Sequence, residues 1–360
     1  MNAHEHICRR TLKPELKCFL ECSNRDLTRV RRWGLAIALL TFSSCQGEQS
    51  ALAPAGRGSE QIAELWWWMV SGATVIWLIV TGLLLYAIYG HPPENRRQAG
   101  MLIIGGGVVV PTVVLAVLLT FGLSLLPDLV APAPNDALEI HVTGEQWWWR
   151  NHYTHFPSIG TAETTEPIAV ANEIHLPVGE VVEFRLTSAD VIHAFWIPAL
   201  GGKVDMIPGR TNRLRLEPTR TGVFRGVCAE YCGASHALMA FVVVVEEKHE
   251  FEEWLRRQAM PAQTPISALA KRGRDVFQSY GCGACHTVRG TSADGVVGPD
   301  LTHVGGRQSL AAGTLVCEPS NLQRWLKHPD VIKPDVLMPA FDMLPNEDLE
   351  ALAAYLDGLE

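Results

Sequence analysis

Two long stretches of the chain, residues 65–89 and 100–126, are apolar throughout and contain no charged side chain. Each is longer than the roughly 20 apolar residues that cross a bilayer as a helix. A buried helix of a soluble core is the alternative, but a run of this length without one charge disfavours it. Pro111, inside the second stretch, is tolerated in membrane helices. The pattern therefore predicts a transmembrane hairpin over residues 62–126.

The segment between the two stretches carries Arg96 and Arg97. Short cytoplasmic loops are enriched in basic residues, so we expect this loop in the cytoplasm. Both ends of the hairpin, and everything that follows it, are then expected on the outer face of a bacterial plasma membrane.

A further signal precedes the hairpin. Basic residues within positions 29–32 precede an apolar run and then Cys45, which is the layout of a secretory signal ending in a cysteine that can be lipidated. The alternatives are an ordinary cleaved signal and a third, short anchor. Residues 1–45 are assigned to this signal region. Residues 1–28 fit none of these designs, so we expect translation to start near Val30.

The hydrophobic period changes after the hairpin. Residues 127–134 are rich in proline and predict an extended linker. Between residues 138 and 245, short runs rich in valine, isoleucine, phenylalanine and threonine alternate with turn residues, a pattern typical of a β-sandwich or barrel. The predicted strands lie at residues 139–143, 181–186, 213–216 and 241–245.

The last part of the chain has a helical period. Residues 247–258 predict a helix, and residues 260–265 supply a second linker. Helical periodicity returns over residues 267–280, 320–327 and 346–359. We therefore predict a small all-α domain over residues 266–360, a size that often needs a staple or a cofactor to supplement the core.

The strongest chemical signal is a set of soft ligands near the end of the predicted β-domain. It consists of Cys228, Cys232, His236 and Met239, with His193 earlier in the chain. Thiolate and imidazole select copper or zinc over hard cations, and a thioether favours copper. Two cysteines on one loop can bridge two metals, each completed by one histidine and one weak ligand. The alternative is a Cys228–Cys232 disulfide, which leaves the other three residues unexplained.

Residues 188–198 and 203–210, together with these ligands, resemble subunit II of cytochrome c oxidase. The resemblance extends from the helical hairpin to about Glu247. It implies a cupredoxin-like β-sandwich over residues 135–247 that holds a binuclear copper centre, CuA. It assigns bridging to Cys228 and Cys232, one copper each to His193 and His236, weak ligation to Met239 and a backbone-carbonyl ligand to Glu230.

The same resemblance implies further roles. The Glu230 side chain would help to hold a magnesium ion at the contact with the catalytic subunit, and Trp147 would be the electron-input residue above the copper site. Trp147 is one of three adjacent tryptophans, which cannot all face one side of a strand, so at least one is expected at the surface. Some oxidases of this type have a glutamate at the cytoplasmic start of the second helix, and here only Glu94 is near.

The C-terminal domain carries the attachment signature of c-type haem at Cys282, Cys285 and His286. In this signature two thiols form thioethers and the histidine binds iron. Two later segments resemble loops of small bacterial cytochromes c, residues 298–301 and 337–341. By this resemblance Met338 is the second axial ligand, with Met343 and His303 as alternatives. Cys317 is predicted to be a buried small side chain rather than a ligand.

Together these features predict an electron-input subunit of a terminal respiratory oxidase. Electrons from an external donor, a cytochrome c or a cytochrome complex, are expected to reach a separate oxygen-reducing subunit through haem c and CuA. The expected partners are that donor, membrane lipid and oxidase subunits I and III; a net charge of −8 argues against nucleic acid. The alternatives are a subunit of a CuA-type nitric oxide reductase and a stand-alone membrane-anchored redox carrier or copper-delivery protein.

Overall fold

The predicted hairpin is helical on both sides of its loop. The structure, a computed structural model, describes residues 47–90, 96–155 and 167–360. Helix α1 spans Arg57–Tyr89, and after the loop come α2 (Arg96–Met101), a π-helical segment (Leu102–Val109) and α3 (Val110–Val130). Both helical arms are long and apolar enough to cross a membrane. Large apolar side chains lie exposed along them, as expected for a surface that faces lipid.

The second arm is longer than the sequence indicated. The proline-rich pattern predicts extended chain from residue 127, but α3 continues through Pro127 to Val130, so this part of the prediction is wrong. A proline inside a helix removes one backbone hydrogen bond, and it can kink the helix without ending it. The chain leaves helical geometry at Ala131, where ψ is 139°. Cys45, the signal region and Glu94 lie outside the described residues.

The β-domain, residues 138–246, contains two five-stranded sheets. Its strands are β1 (Leu138–Glu145), β2 (Trp148–His155), β3 (Ile168–Ala171), β4 (Glu173–Pro177), β5 (Val182–Ser188), β6 (His193–Trp196), β7 (Val204–Met206), β8 (Asn212–Leu216), β9 (Gly222–Cys228) and β10 (Ala240–Glu246). One sheet has the order β3-β2-β1-β5-β8 and the other β4-β10-β9-β6-β7. Neighbouring strands are antiparallel except for the parallel pairs β1–β5 and β4–β10. All four predicted strands are present.

Aromatic side chains fill the space between the two sheets. The Phe184 ring of one sheet lies 5.1 Å from the Phe195 ring of the other, centroid to centroid. Phe195 in turn stacks on Phe241 at 4.8 Å, and the fully buried Trp149 ring lies 5.0 Å from Phe241. Aromatic rings bury large apolar areas with defined geometry. This core therefore fixes the spacing of the two sheets beside the strand ends that carry the predicted metal ligands.

A helix that follows the sandwich covers a buried charged cluster. Helix α4 (Lys248–Ala259) places Trp254 on the ring of His175 at a centroid distance of 3.9 Å. The two ring nitrogens of His175 lie 3.1 Å from Glu173 Oε1 and 2.8 Å from Glu246 Oε1. Burial alone would lower the pKa of His175, but these carboxylates outweigh it and the pKa is raised.

The C-terminal domain is helical, as predicted. Its helices are α5 (Ala268–Ser279), α6 (Pro319–Lys327), α7 (Pro329–Ile332) and α8 (Asn346–Asp357). Two short antiparallel pairs, which the sequence analysis did not include, join β11 (Thr287–Val288) to β12 (Ala293–Asp294) and β13 (Ser309–Leu310) to β14 (Leu315–Val316). This domain and the β-domain belong to one compact unit, residues 48–360.

Candidate metal centres

The ligand loop, residues 228–239, connects β9 to β10. Cys228 ends β9, and its amide donates to Met239 O at 2.9 Å, which closes the loop. His193 begins β6, which pairs with β9 so that Phe195 lies opposite Cys228. Strand pairing therefore brings a histidine that is distant in sequence onto the loop.

The five side chains predicted to bind copper lie together. The Sγ atoms of Cys228 and Cys232 are 3.7 Å apart. Each sulfur has its own imidazole: Cys228 Sγ lies 3.8 Å from His193 Nδ1, and Cys232 Sγ lies 3.6 Å from His236 Nδ1. The Met239 thioether lies 3.8 Å from Cys232 Sγ. The arrangement has the form of a sulfur pair with one nitrogen ligand at each end.

These separations fit two soft metal ions that share the sulfurs. Metal–thiolate bonds of about 2.3 Å allow two sulfurs on one metal to lie up to about 4.6 Å apart. By the same reasoning, a sulfur and a nitrogen on one metal lie within about 4.3 Å of each other. The observed sulfur–sulfur distance of 3.7 Å is far beyond a disulfide bond, and both thiols are free.

The two thiols are electrostatically unequal. The hydrogen bond between them lowers the pKa of Cys228 and raises the pKa of Cys232, because one proton held between the sulfurs stabilises one thiolate and opposes a second. Metal binding requires both sulfurs to be deprotonated. Two cations would therefore replace this proton, which makes copper binding a proton-releasing event.

A carboxylate that the sequence analysis missed orients His193. Asp190 Oδ1 lies 2.8 Å from His193 Nε2, on the side of the ring opposite the nitrogen that faces Cys228. Burial alone would lower the pKa of His193, but hydrogen bonds to Cys228 and Asp190 reverse the effect and raise it. Outer carboxylates of this kind fix the tautomer and orientation of metal-bound histidines. The available signal was an acidic residue three positions before the histidine.

The packing around His193 also depends on a glycine of β1. A Cβ atom added at Gly144 would lie 2.8 Å from His193 Cδ2, closer than any side-chain carbon can approach. The imidazole of His193 thus packs against Gly144 of β1, and its Nε2 atom is hydrogen-bonded to Asp190.

Two further predicted residues contact the cysteines of the site. The carbonyl oxygen of Glu230 lies 3.2 Å from Cys228 Sγ, while the Glu230 residue itself is exposed. The indole of Trp147 donates to Cys232 O at 3.0 Å. Trp147 and Trp149 are buried, and Trp148 is partly exposed beneath the guanidinium of Arg150, so one of the three tryptophans reaches the surface as predicted.

In the C-terminal domain, Cys282 begins a short turn and Cys285 follows it, both as free thiols. The Nδ1 atom of His286 lies 2.8 Å from Pro299 O, which leaves Nε2 to face a ligand. Burial lowers the pKa of His286, so the imidazole is held in the neutral form that binds iron. A Cβ atom added at Gly298 would lie 2.5 Å from His286 Cε1, so only glycine permits the ring position.

The three residues proposed to complete the haem ligation differ in environment. Met338 packs against the core of the C-terminal domain, whereas Met343 is 68% exposed. Both ring nitrogens of His303 are engaged, at 2.9 Å from Glu360 O and 3.0 Å from Met260 O. Cys317 is half-buried, with its sulfur 3.4 Å from Val304 O. Its packing in the core favours Met338 as the second axial ligand over the exposed Met343 and the hydrogen-bonded His303.

Two family matches cover the two metal-binding regions. Residues 138–246 match the family described as cytochrome c oxidase subunit II, periplasmic domain, and residues 270–360 match the cytochrome c family. The solved periplasmic domain of subunit II of cytochrome oxidase of Bradyrhizobium japonicum is 36% identical, covering 35% of this chain and 95% of that chain, with a TM-score of 0.31.

Curated relatives match over about two thirds of the chain. Cytochrome c oxidase subunit 2 of Alkalihalophilus pseudofirmus is 40% identical over 63% of this chain, and the chain spans 62% of that relative's length. Probable cytochrome c oxidase subunit 2 of Streptomyces coelicolor is 30% identical over 67% of this chain and 89% of its own length. The ligand geometry and these similarities lead to one conclusion: the chain belongs to the cytochrome c oxidase subunit 2 family and carries a cytochrome c domain after the family's periplasmic domain.

Proposed function

We propose that the chain is the electron-input subunit of a membrane-bound, oxygen-reducing oxidase. The observation that carries the proposal is the ligand loop, where two thiols 3.7 Å apart each have an imidazole within 3.8 Å. When bound, the binuclear copper and haem c supply one-electron transfer between an external donor and a separate catalytic subunit. The chain's own residues hold these groups, and the chemistry of oxygen belongs to the other subunit.

In this proposal the copper pair is held by His193, Cys228, Cys232, His236, Met239 and the carbonyl of Glu230. The three sulfur ligands are almost fully buried, with exposed fractions of 6%, 3% and 1% for Cys228, Cys232 and Met239. A water-excluded site with rigid soft ligands favours fast electron transfer, because little solvent has to reorganise. The haem would be held by thioethers to Cys282 and Cys285 and by His286 and Met338, an axial pair that raises the haem potential.

Electron input to the copper pair is proposed to pass by Trp147. The indole contacts the ligand loop through Cys232 O, yet only 6% of the residue is exposed, and Lys333 of the C-terminal domain contacts the Trp147 carbonyl. A soluble donor therefore has little direct access to this tryptophan. It is proposed to dock on the C-terminal domain instead.

The remaining parts of the proposal concern the complex. The exposed Glu230 would help to hold magnesium at the contact with subunit I, and subunit III completes the expected assembly. The hairpin anchors the chain with its metal domains on the periplasmic side. Cys45 is proposed as a lipid attachment point.

The test is metal analysis and paramagnetic resonance of the complex purified through this chain. We expect a copper pair with the hyperfine pattern of a mixed-valence centre, one covalent haem c and consumption of oxygen. Cys232→Ser is expected to abolish the mixed-valence pattern, whereas Cys317→Ser, outside the ligand set, leaves it unchanged. A Cys228–Cys232 disulfide with no copper pair contradicts the proposal, and so does consumption of nitric oxide in place of oxygen.

A further inference from the structure

Several hydrogen bonds between the β-domain and the C-terminal domain end on backbone carbonyls. Arg225 donates to Gly313 O at 3.1 Å, and Ser235 donates to Pro334 O at 2.6 Å. The amide of Ala240 donates to Ala312 O at 2.9 Å. The last two are neutral hydrogen bonds, which contribute only about 0.5–1.5 kcal/mol each, while the guanidinium of Arg225 makes a charge-assisted bond.

Lys333 differs from these contacts because its amine is buried and has three partners at once. The residue is only 2% exposed. Its Nζ atom donates to three carbonyl oxygens: those of Trp147, of Leu238 at 3.1 Å and of Ala311 at 3.1 Å. An ammonium group has three N–H bonds, and here each has an acceptor. Lysine is almost never buried without such compensation.

The three carbonyls come from both sides of the interface. Trp147 and Leu238 belong to the β-domain, and Ala311 lies in the turn between β13 and β14 of the C-terminal domain. Trp147 holds Cys232 O through its indole, and Leu238 immediately precedes the copper ligand Met239. Lys333 of the C-terminal domain thus donates to the carbonyls of Trp147 and Leu238, two backbone groups next to the proposed copper ligands.

Lys333 also lies close in sequence to the proposed haem ligand. Only five positions separate it from Met338, and the intervening Pro334 accepts a hydrogen bond from Ser235, the neighbour of His236. One short segment therefore contacts the ligand loop at its beginning and supplies the haem ligand at its end.

We propose that Lys333 is a positioning residue that docks the C-terminal domain on the ligand loop and so fixes the separation of the haem and copper sites. The proposal rests on the proposed function for the identity of the two sites. It requires the bound arrangement to depend on the amine, since a side chain of the same length without N–H groups leaves the Trp147 carbonyl without its donor. The carbonyls of Leu238 and Ala311 then keep only the shared hydroxyl of Thr314.

The test uses the full chain in detergent, loaded with haem and copper, as Lys333→Met. Lys271→Met, at an exposed position of α5, is the matched control. Haem absorbance and the paramagnetic resonance of the copper pair in the unaltered chain report whether both sites are filled. They test the proposed function independently of Lys333.

Hydrogen exchange is then measured at Ala240, whose amide is bonded across the interface. We expect exchange to be faster in Lys333→Met by about tenfold or more, because the variant loses the hydrogen bonds of the amine and even a neutral bond contributes about two- to tenfold to an equilibrium constant. We also expect the oxidised haem to enhance the spin relaxation of the copper pair less strongly in this variant. Lys271→Met leaves both measurements unchanged.

Unchanged exchange and unchanged spin relaxation in Lys333→Met, with both sites filled, overturn the proposal. If that variant loses haem or copper, Lys333→Gln, which keeps an N–H donor, takes its place in the same measurements. Loss of haem from the glutamine variant as well assigns Lys333 to the folding of the C-terminal domain and also overturns the proposal.

Discussion

Asp190→Asn tests whether the carboxylate behind His193 sets the affinity for copper. Asp190 Oδ1 lies 2.8 Å from His193 Nε2, and Oδ2 accepts from the Gln146 amide at 2.7 Å. Asparagine keeps the shape but removes the charge, and its NH₂ group faces the Gln146 amide as a second donor. The variant therefore loses the charge-assisted hydrogen bond to the imidazole and the side-chain acceptor of the Gln146 backbone N–H.

The size of the effect follows from the exposure of the carboxylate. Orienting groups of this kind contribute about 10–100-fold to metal affinity. The Asp190 side chain is 32% exposed, and solvent screens a charge that is partly open to water. We therefore expect the lower end of the range, a loss of about tenfold in copper affinity, or about 1.4 kcal/mol.

Competition titration with a cuprous chelator measures this affinity in the full chain. Asp136→Asn, at an exposed position before β1, is the control for the loss of one negative charge. Equal copper affinities of the two variants would refute the assignment of Asp190 as the group that orients His193. A loss far above a hundredfold would show instead that the loop had rearranged.

Three further changes give distinct outcomes. Gly298→Ala is expected to empty the haem site, since its Cβ would lie 2.5 Å from His286 Cε1; a normal haem absorbance per chain would contradict this close approach. Met338→Leu is expected to keep the covalent haem but to lower its potential in a redox titration, and an unchanged potential would point to another axial ligand. Burial alone would lower the pKa of His175, but the two flanking glutamates outweigh burial and raise the pKa above 6.5. The protonated imidazole therefore stabilises the fold fully below pH 6.5, and this stabilisation is lost as the pH rises through the raised pKa. The difference in thermal midpoint between the unaltered chain and His175→Gln is therefore expected to shrink with rising pH, with the exposed His249→Gln as control; a difference that grows with pH would contradict the direction of the shift.

The proposed copper ligands could be identified from the sequence because four of the five side chains lie on one loop. Within residues 228–239, the spacing of two cysteines, a histidine and a methionine limits what their side chains can reach. His193 is different, because it lies 35 residues before Cys228 and, apart from the family resemblance, only its residue type connects it to the loop. The physical connection is the pairing of β6 with β9, a long-range contact that no local pattern encodes.

Other features depend on groups that the sequence does not display. The partners of Lys333 are three backbone carbonyls, and every residue has one, so the identity of neighbouring side chains carries no signal of the contact. Pro127 misled for a related reason: proline predicts a helix end by its local geometry, yet α3 continues to Val130. In both cases the structure depends on backbone groups, which the side-chain sequence does not show.

The geometry of the ligand loop itself depends on neighbours outside it. The backbone bond between Cys228 and Met239 closes its ends, while the indole of Trp147 holds Cys232 O from the β1–β2 turn. Lys333 holds Leu238 O from the other domain. Because each of these contacts fixes a backbone group next to a metal ligand, the loop sequence alone does not determine where the sulfur and nitrogen atoms lie. The same loop placed in another protein would carry four of the proposed ligand side chains but would lack the contacts that hold them in position.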